Sequence, residues 1–417
     1  MSQRRVVITG VGLVTPVGLD PESTWTALLA GESGAAPITR FDTSEHDARF
    51  ACEVKGFDPE AHMGRKEARR ADRFLQLAMA SCGQAMQQAG LAEGWGNTDP
   101  RRAGVIIGSG IGGLPLLEQQ HQRLLERGPS RVSPFFIPMF IADMSPGMIS
   151  MRYGARGPNY ATVSACASSA HAIGLASRSV RLGETDVMIT GGTESTITPL
   201  CMAGFASMKA LSVRNDDPST ASRPFCATRD GFVMGEGAGV LILEELQHAR
   251  ARGVEILGEV AGFGQSADAY HFTAPAPDGA GARLAMEHAL ADARLRPEDI
   301  QYINAHGTST PANDSSETAA IKSVFGDHAG ELVVGSTKSM TGHTLGASGA
   351  IEAAISALVC RHGVIPPTIN CHEPDPACDL EYAHGGRIER PVRAALTNSF
   401  GFGGHNVCLA ITRWDDE

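Results

Sequence analysis

The residues whose types suit covalent catalysis are one cysteine and two histidines in separate parts of the chain. Cys166 lies in the run TVSACASSAHAIG, His306 in YINAHGTSTPAND and His343 in STKSMTGHTLGASG. A thiol is both a good nucleophile and a good leaving group, and neutral imidazoles can donate hydrogen bonds to a developing enolate. These residue types suit chemistry on a substrate thioester at the sulfur, which needs neither a metal nor a redox cofactor.

Each of the three residues also has a structural interpretation. A free cysteine is usually a buried apolar residue, and a single histidine in a turn is more often structural than catalytic. However, Cys166 has small neighbours and begins a helix-like run, where the helix N-terminus would stabilise a thiolate. His306 and His343 both follow strand-like runs, where α/β proteins bind ligands, and Lys338 precedes His343 by five residues. The matched contexts favour a functional interpretation.

Strand-like apolar runs alternate with helix-like runs along the chain. Residues 6–14 predict a strand, Asp20 and Pro21 predict a helix start, and residues 71–89 predict a longer helix. Further strands are predicted in AGVIIGSG, VMITGG, GVLILEE, ILGEVAGFG, DIQYINAHG and LVVGSTK. This alternation predicts an α/β fold with buried mixed sheets.

The two halves of the chain repeat one pattern. Each half offers a strand, a polar turn, a second strand and a helix of Ala, Ser and Gly, namely CASSAHAIGLASRSV and GASGAIEAAISALV. Helices so poor in bulky residues can be approached closely on every side, so both are predicted at the centre of the molecule. Packing the two halves together would bring both histidines near Cys166.

The composition limits the classes of protein to which this chain can belong. The 417 residues are 42% hydrophobic and 19% charged, enough for a large core, and the net charge of −11 argues against nucleic acid as a general partner. Nine scattered cysteines without a CxxC pair suit a reducing compartment. Gly10, Gly12 and Pro16 interrupt the N-terminal apolar run, which predicts a buried strand and no signal peptide. No apolar stretch predicts a membrane span, so a cytoplasmic location is expected.

These motifs, taken in order, resemble those of the beta-ketoacyl-acyl-carrier-protein synthases. The blocks RPFCATRDGFVMGEGAG and NSFGFGGHN add to the resemblance, which covers nearly the whole chain. Two histidines beside the cysteine, in place of a His/Asn pair, are similar to the elongating class, synthase II. The resemblance implies a thiolase-like duplicated five-layer αβαβα architecture with mixed sheets and a homodimer. It places the nucleophile in an N-terminal half, 1–255, and the histidines in a C-terminal half, 256–417.

The resemblance also implies the catalytic roles. Cys166 would take the acyl chain from the phosphopantetheine of an acyl carrier protein, and His306 and His343 would bind the malonyl thioester and stabilise its enolate. The backbone N–H groups of Cys166 and Phe402 would form the oxyanion hole. Lys338, held by a carboxylate, would order the histidines; the candidate partners are Asp314 and Glu317. No metal and no resident cofactor are implied, because phosphopantetheine arrives on the carrier protein.

Further positions match the family's substrate-binding residues. Thr273, Thr308 and Thr310 match residues that bind the pantetheine arm, although Ser and Thr are also common in turns. Phe400 matches a residue of the loop that gates acyl entry, and a purely packing role for it stays open. Ile111 matches a residue that lines the acyl pocket across the dimer interface.

A basic patch would be needed for an acidic carrier protein. The run GRKEARRADR supplies Arg65, Lys66, Arg69 and Arg70, with Arg73 predicted on the same helical face as Arg65 and Arg69. Lys209 and Arg214 are further candidates. A charge run is also typical of a solvated helix face, so both interpretations stay open.

Two departures from the family pattern and two rival functions remain. Cys226 stands where relatives often have an aspartate, which puts a local ion pair in doubt, and His405 replaces a frequent threonine beside the gating loop. The ketosynthase subunit of an aromatic polyketide assembly shares this fold and chemistry. The non-catalytic chain-length partner of such an assembly shares the fold, but Cys166 argues against it.

Overall fold

The chain folds into alternating strands and helices, and a computed structural model describes residues 4–415. The strands within that range are β1 Val6–Val14, β2 Ala36–Pro37, β3 Phe50–Ala51, β4 Ala103–Gly108, β5 Asn159–Thr162, β6 Val187–Glu194, β7 Gly237–Glu245, β8 Gly258–Ala267, β9 Tyr302–Asn304, β10 Val333–Gly335, β11 Val364–Ile365, β12 Ile388–Glu389, β13 Ala394–Gly401 and β14 His405–Thr412. The α-helices are α1 Pro21–Ala30, α2 Glu60–Met63, α3 Arg65–Ala68, α4 Arg73–Gln88, α5 Leu114–Arg127, α6 Phe136–Phe140, α7 Met144–Tyr153, α8 Ser168–Arg181, α9 Pro199–Ser207, α10 Leu246–Arg252, α11 Ala280–Ala293, α12 Pro311–Phe325, α13 Lys338–Thr341 and α14 Ser348–His362. The predicted α/β class and all seven predicted strands are confirmed.

The strand order shows an internal duplication. Ten strands form one mixed sheet in the order β10-β9-β13-β14-β8-β1-β7-β6-β4-β5. Counted within its own half, each set of five follows the same order, with the same parallel and antiparallel pairs. The two sets join where β1 pairs antiparallel with β8. This repetition agrees with the repeat predicted from sequence, while the division between residues 255 and 256 stays a prediction.

The two small-residue helices lie at the centre, as predicted. Most residues of α8 and α14 are buried, and the helices contact each other. Glycine permits this approach: a Cβ added to Gly349 of α14 would lie 2.8 Å from the Cβ of Ala170 in α8. Such close packing places the N-termini of both helices beside each other.

The N-terminal segment is part of the core. Every residue of β1 is buried, and the strand pairs with both β7 and β8. Asp20 caps α1 by accepting a hydrogen bond from the Ser23 N–H at 2.7 Å, with Pro21 in the first turn, as predicted. Within residues 4–415, no helix combines the length and the apolar character needed to cross a membrane.

Candidate active site

Cys166 sits in a tight turn between β5 and α8, two residues before the helix begins. Ala165 adopts a left-handed conformation with φ of 51°, which turns the chain sharply before the cysteine. Ser168 holds the turn, because its hydroxyl accepts from the Ser164 N–H at 2.9 Å and donates to the Ala165 carbonyl at 2.6 Å. The turn presents the sulfur at the N-terminus of a central helix.

His343 reaches the sulfur from the second half of the chain. It follows α13, and its backbone N–H donates to the Val233 carbonyl at 2.7 Å. Its Nε2 lies 3.0 Å from Cys166 Sγ, within hydrogen-bonding distance for sulfur. Its Nδ1 lies 3.1 Å from the hydroxyl of Ser348, the first residue of α14. The fold thus joins two residues that are 177 positions apart.

His306 completes a group of three. It lies just beyond β9, and a buried carboxylate fixes its backbone: the N–H groups of His306 and Gly307 donate to Glu317 at 2.8 and 2.9 Å. The rings of His306 and His343 stand nearly perpendicular, with centroids 5.4 Å apart. Both rings and the Cys166 sulfur line one pocket. The structure therefore brings the three predicted residues together.

Burial keeps these groups neutral. Desolvation lowers the pKa of His306 and of His343 well below the usual range, and the charge of Lys338 lowers both further. Burial also raises the pKa of Cys166 to about 12, against the opposing effect of Lys338. Lost hydration thus opposes the thiolate that the sequence predicts at the N-terminus of this helix. The resting site holds a thiol and two neutral imidazoles.

The partner predicted for Lys338 is wrong. Lys338 is buried and pairs with Glu352 of α14, not with Asp314 or Glu317. Asp314 accepts from the Phe225 N–H at 2.9 Å and lies near the Arg229 guanidinium, while Glu317 serves the His306 backbone. Glu352, in the second turn of α14, reaches Lys338 at the start of α13, so the packing of these two helices selects the partner.

The pocket measures about 510 Å³ and gathers all five predicted substrate-binding residues. Besides Cys166, His306 and His343, it is lined by Ile111, Lys209, Thr273, Thr308, Thr310, Phe400 and Phe402. The hydroxyls of Thr308 and Thr310 lie 3.0 Å apart. Ile111 is 37% exposed, so part of its side chain has no cover within this chain.

The strand end that carries Phe400 and Phe402 lies directly against Cys166. A Cβ added to Gly401 would lie 2.6 Å from the Ser164 carbonyl oxygen and 3.1 Å from the Cys166 nitrogen, so only glycine fits there. The Phe400 ring contacts the His306 ring, with centroids 5.6 Å apart. The Gly403 N–H donates to the Phe272 carbonyl at 2.8 Å, which ties this loop to the segment that carries Thr273.

The basic residues predicted to bind a carrier protein lie in two separate parts of the surface. Lys209 is exposed and lines the pocket that contains Cys166, whereas Arg65, Lys66 and Arg70 line a separate groove of about 720 Å³. The prediction that Arg73 shares their helical face is wrong. Helix α3 ends at Ala68 and α4 begins anew at Arg73, whose guanidinium turns inward and binds the buried Glu236 at 3.0 Å.

Two buried acids were missed by the sequence analysis. Glu352 is the partner of Lys338, and Glu194 accepts from the N–H groups of Gly110 at 2.7 Å and Gly346 at 3.0 Å. Glu194 thereby links a loop of the first half to the turn that follows His343. The sequence did contain a signal for both residues, because each is a single acid inside a segment of apolar and small residues. A buried carboxylate without a partner is costly, so an acid in such a segment is expected to have a specific partner.

The two departures from the family pattern lie outside the group of three. Cys226 is buried, and the neighbouring Arg229 keeps an ion pair with Asp375 at 2.6 Å. His405 lies at the start of β14, with its ring centroid 6.5 Å from that of His171. Neither residue lines the pocket that contains Cys166.

The sequence and the fold both match one family. Residues 3–249 match the family model of the beta-ketoacyl synthase N-terminal domain, and residues 257–372 match that of the C-terminal domain. A solved beta-ketoacyl synthase from Burkholderia phymatum STM815 superposes with a TM-score of 0.92, at 36% identity, over 99% of this chain and 100% of its own. The protein therefore belongs to the beta-ketoacyl synthase family, with its duplicated thiolase-like fold, and is an acyltransferase.

Curated relatives show to which group within the family the chain belongs. The 3-oxoacyl-[acyl-carrier-protein] synthase 2 of Synechocystis sp. (strain ATCC 27184 / PCC 6803 / Kazusa) is 54% identical over 414 residues, 99% of each chain. That of Coxiella burnetii (strain RSA 493 / Nine Mile phase I) is 50% identical over 413 residues, again 99% of each chain. Within the family, the chain falls in the synthase II group. A type II PKS ketosynthase in complex with its acyl-carrier protein is more distant, at 32% identity over 99% of this chain and 100% of its own, with a TM-score of 0.92.

Proposed function

We propose that the protein elongates fatty acids, by condensing malonyl-carrier protein with an acyl chain held on Cys166. The observation that carries this proposal is the contact of 3.0 Å between the Cys166 sulfur and the His343 imidazole, with a second neutral imidazole in the same pocket. Each cycle extends the acyl chain by two carbons and releases carbon dioxide. The reaction needs no metal and no resident cofactor, because the pantetheine arm arrives on the carrier protein.

The first half-reaction loads the acyl chain. The Cys166 sulfur attacks the thioester carbonyl of the acyl-carrier protein, and the thiol proton moves to His343 Nε2, which lies 3.0 Å away. The N–H groups of Cys166 and Phe402 stabilise the tetrahedral oxyanion. The carbon–sulfur bond to pantetheine then breaks, and the departing thiolate takes the proton.

The second half-reaction forms the carbon–carbon bond. Thr308 and Thr310 hold the pantetheine arm of the malonyl group, and both imidazoles donate hydrogen bonds to its thioester carbonyl. Loss of carbon dioxide leaves an enolate that these two donors stabilise, a role that requires neutral rings at neutral pH. The enolate carbon attacks the acyl thioester, and the Cys166 thiolate leaves and takes up a proton from solvent, which restores the thiol.

The proposal includes an acyl carrier protein as partner, a homodimer and a cytoplasmic location. An acidic acyl carrier protein would dock on Lys209 at the pocket and on the exposed residues Arg65, Lys66, Arg69 and Arg70. A second copy of this chain would cover the exposed part of Ile111. The nine free cysteines favour the cytoplasm.

A test with graded substrates separates this function from its rivals. The purified protein is incubated with malonyl-carrier protein and acyl-carrier proteins of different lengths, and adducts are followed by mass spectrometry. We expect acylation at Cys166 and a β-ketoacyl product longer by two carbons. Repeated extension to an unreduced polyketone would favour a polyketide ketosynthase, and absence of acylation at Cys166 would favour a non-catalytic chain-length partner. The identity of 50–54% to synthase 2 relatives favours the fatty acid function.

A further inference from the structure

The two histidines of the pocket differ at the ring nitrogen that faces away from the pocket. Nδ1 of His343 lies 3.1 Å from the Ser348 hydroxyl. Nδ1 of His306 is buried and has no hydrogen-bond partner among residues 4–415. Of the two rings, His343 is also the one whose Nε2 contacts the Cys166 sulfur.

This difference sets the tautomer of each ring. A buried N–H group without an acceptor is rarer and costlier than an unused acceptor lone pair, so His306 carries its proton on Nε2. His306 is therefore a fixed donor to the pocket. His343 is different, because a hydroxyl can either accept from Nδ1–H or donate to a bare Nδ1.

The surroundings of Ser348 support both orientations. Its hydroxyl is buried and lies 3.0 Å from the hydroxyl of Thr344. When Ser348 accepts from His343 it can donate to Thr344, and when it donates to His343 it can accept from Thr344. Each tautomer of His343 thus keeps a complete set of hydrogen bonds.

We propose that Ser348 is a positioning residue that allows His343 to serve as proton acceptor in one half-reaction and as donor in the other. With the proton on Nδ1, a bare Nε2 accepts the Cys166 proton while sulfur bonds to the acyl carbon, and the proton passes to the pantetheine thiolate as its carbon–sulfur bond breaks. With the proton on Nε2, His343 donates to the malonyl carbonyl. Between the half-reactions, water in the pocket protonates Nε2, and the Nδ1 proton is passed to solvent through the Ser348 and Thr344 hydroxyls. The roles in the two half-reactions rest on the proposed function.

The first test measures the Cys166 thiol without any substrate of the proposed reaction. Ser348→Ala removes one oxygen and leaves both Nδ1 atoms without a partner, so His343 becomes a fixed donor like His306. We expect iodoacetamide to alkylate Cys166 about 10²-fold more slowly at pH 7, the size of a lost general base. The rate is read from the mass of the Cys166 peptide across a pH series, and thermal unfolding checks that the variant is folded.

Two further variants control this test. Ser348→Thr keeps a hydroxyl and should restore the rate. Ser177→Ala removes a buried hydroxyl of α8 that donates to the Gly174 carbonyl of its own helix at 2.8 Å, and it should stay within a few-fold of wild type. Alkylation of Ser348→Ala at the wild-type rate across the whole pH series would overturn the proposal. So would a failure of Ser348→Thr, if folded, to recover the rate.

The second test separates the half-reactions. In Ser348→Ala, acyl transfer to Cys166 should fall about 10²-fold, while decarboxylation of the malonyl thioester should stay within a few-fold of wild type. An equal loss in both would indicate general damage to the site and contradict the proposal. The two hypotheses can also fail separately. If Ser348→Ala slows alkylation of Cys166 as expected but the wild type catalyses neither half-reaction, the proposed function is wrong, while the effect of Ser348 on the Cys166 thiol remains supported.

Discussion

At the scale of single residues, Lys338 and Glu352 are both buried, and each supplies the counter-charge of the other. Burial raises the pKa of Glu352 to about 7, against the attraction of Lys338. The same Lys338 charge lowers the pKa values of His306 and His343 beyond the effect of burial. Burial in the first place, and the Lys338 charge in the second, thus keep both imidazoles neutral, which is the state that can donate to an enolate.

Removing the acid from this pair should be costly. Glu352→Gln leaves the buried ammonium of Lys338 without a counter-charge, so we expect the free energy of unfolding to fall by about 3–5 kcal/mol. Urea denaturation followed by circular dichroism measures the change. The control Glu331→Gln alters an exposed acid and should change the stability by less than about 0.5 kcal/mol. Equal midpoints for the two variants would contradict the role assigned to Glu352.

At the scale of elements, the end of β13 must approach the turn that carries Cys166. Gly401→Ala places a methyl group 2.6 Å from the Ser164 carbonyl and should push the strand end, with Phe402, away from the sulfur. A displacement near 1 Å can cost about 10²-fold in rate, so we expect a loss of that size in condensation, measured as β-ketoacyl product formed per minute. Gly204→Ala in α9 meets no atom within 4 Å and should retain activity. An active Gly401→Ala enzyme would show that this contact does not position the oxyanion hole.

One carboxylate connects the starts of strands β1, β4 and β6 by hydrogen bonds. Asp186, just before β6, accepts from Arg4 at 2.6 Å and from Arg102 at 2.7 Å. The hydrogen bonds from Arg102 and, to a smaller extent, from Arg4 outweigh the opposing effect of burial and lower the Asp186 pKa to about 2. Because the folded pKa lies below the unfolded value near 4, this stabilisation is present above about pH 4 and is lost as the pH falls towards 2.

Asp186→Asn should therefore destabilise the protein in a pH-dependent way. We expect a loss of about 1 kcal/mol at pH 7, since solvent screens these partly exposed ion pairs. The difference from wild type should shrink below pH 4, as measured by urea denaturation at several pH values. A difference that stays constant between pH 7 and pH 3 would show that charge is not its origin.

At the scale of the whole molecule, the two edges of the ten-stranded sheet differ. The backbone N–H of Val334 in β10 donates to the Glu381 carbonyl, so a neighbouring segment covers that edge. The outer side of β5 pairs with no strand among residues 4–415, and Tyr160 and Val163 beside it are 42% and 64% exposed. An uncovered edge strand invites pairing with another chain. This edge is therefore the site that we expect the proposed homodimer to use.

A charge on this edge should separate the dimer. Tyr160→Lys should yield a monomer at micromolar concentration, because an ammonium group would be buried without a partner. Light scattering coupled to size-exclusion chromatography gives the mass of each form. Leu182→Lys changes a residue that is 76% exposed at the end of α8 and should leave the dimer intact. Dimers of unchanged stability with Tyr160→Lys would place the interface elsewhere.

Local sequence was enough to predict the elements and the main site residues. Val6–Val14 and the start of α1 were predicted within a residue, because alternation of apolar runs and cap chemistry act over a few neighbours. The side chains of Cys166, His306 and His343 were recognised because each lies in a short, distinctive turn. Arg73 was misplaced because the pattern of charges does not show where one helix ends and the next begins.

The sequence by itself determined the α/β class, the duplication and the three groups that meet at the pocket. Only the tertiary structure decided that Lys338 pairs with Glu352, that Cys166 rests as a thiol, and that Ser348 lies behind His343. Secondary-structure propensity depends on residues that are neighbours in the sequence. Hydration, pKa values and the choice of ion partner depend instead on which distant segments the packing brings together.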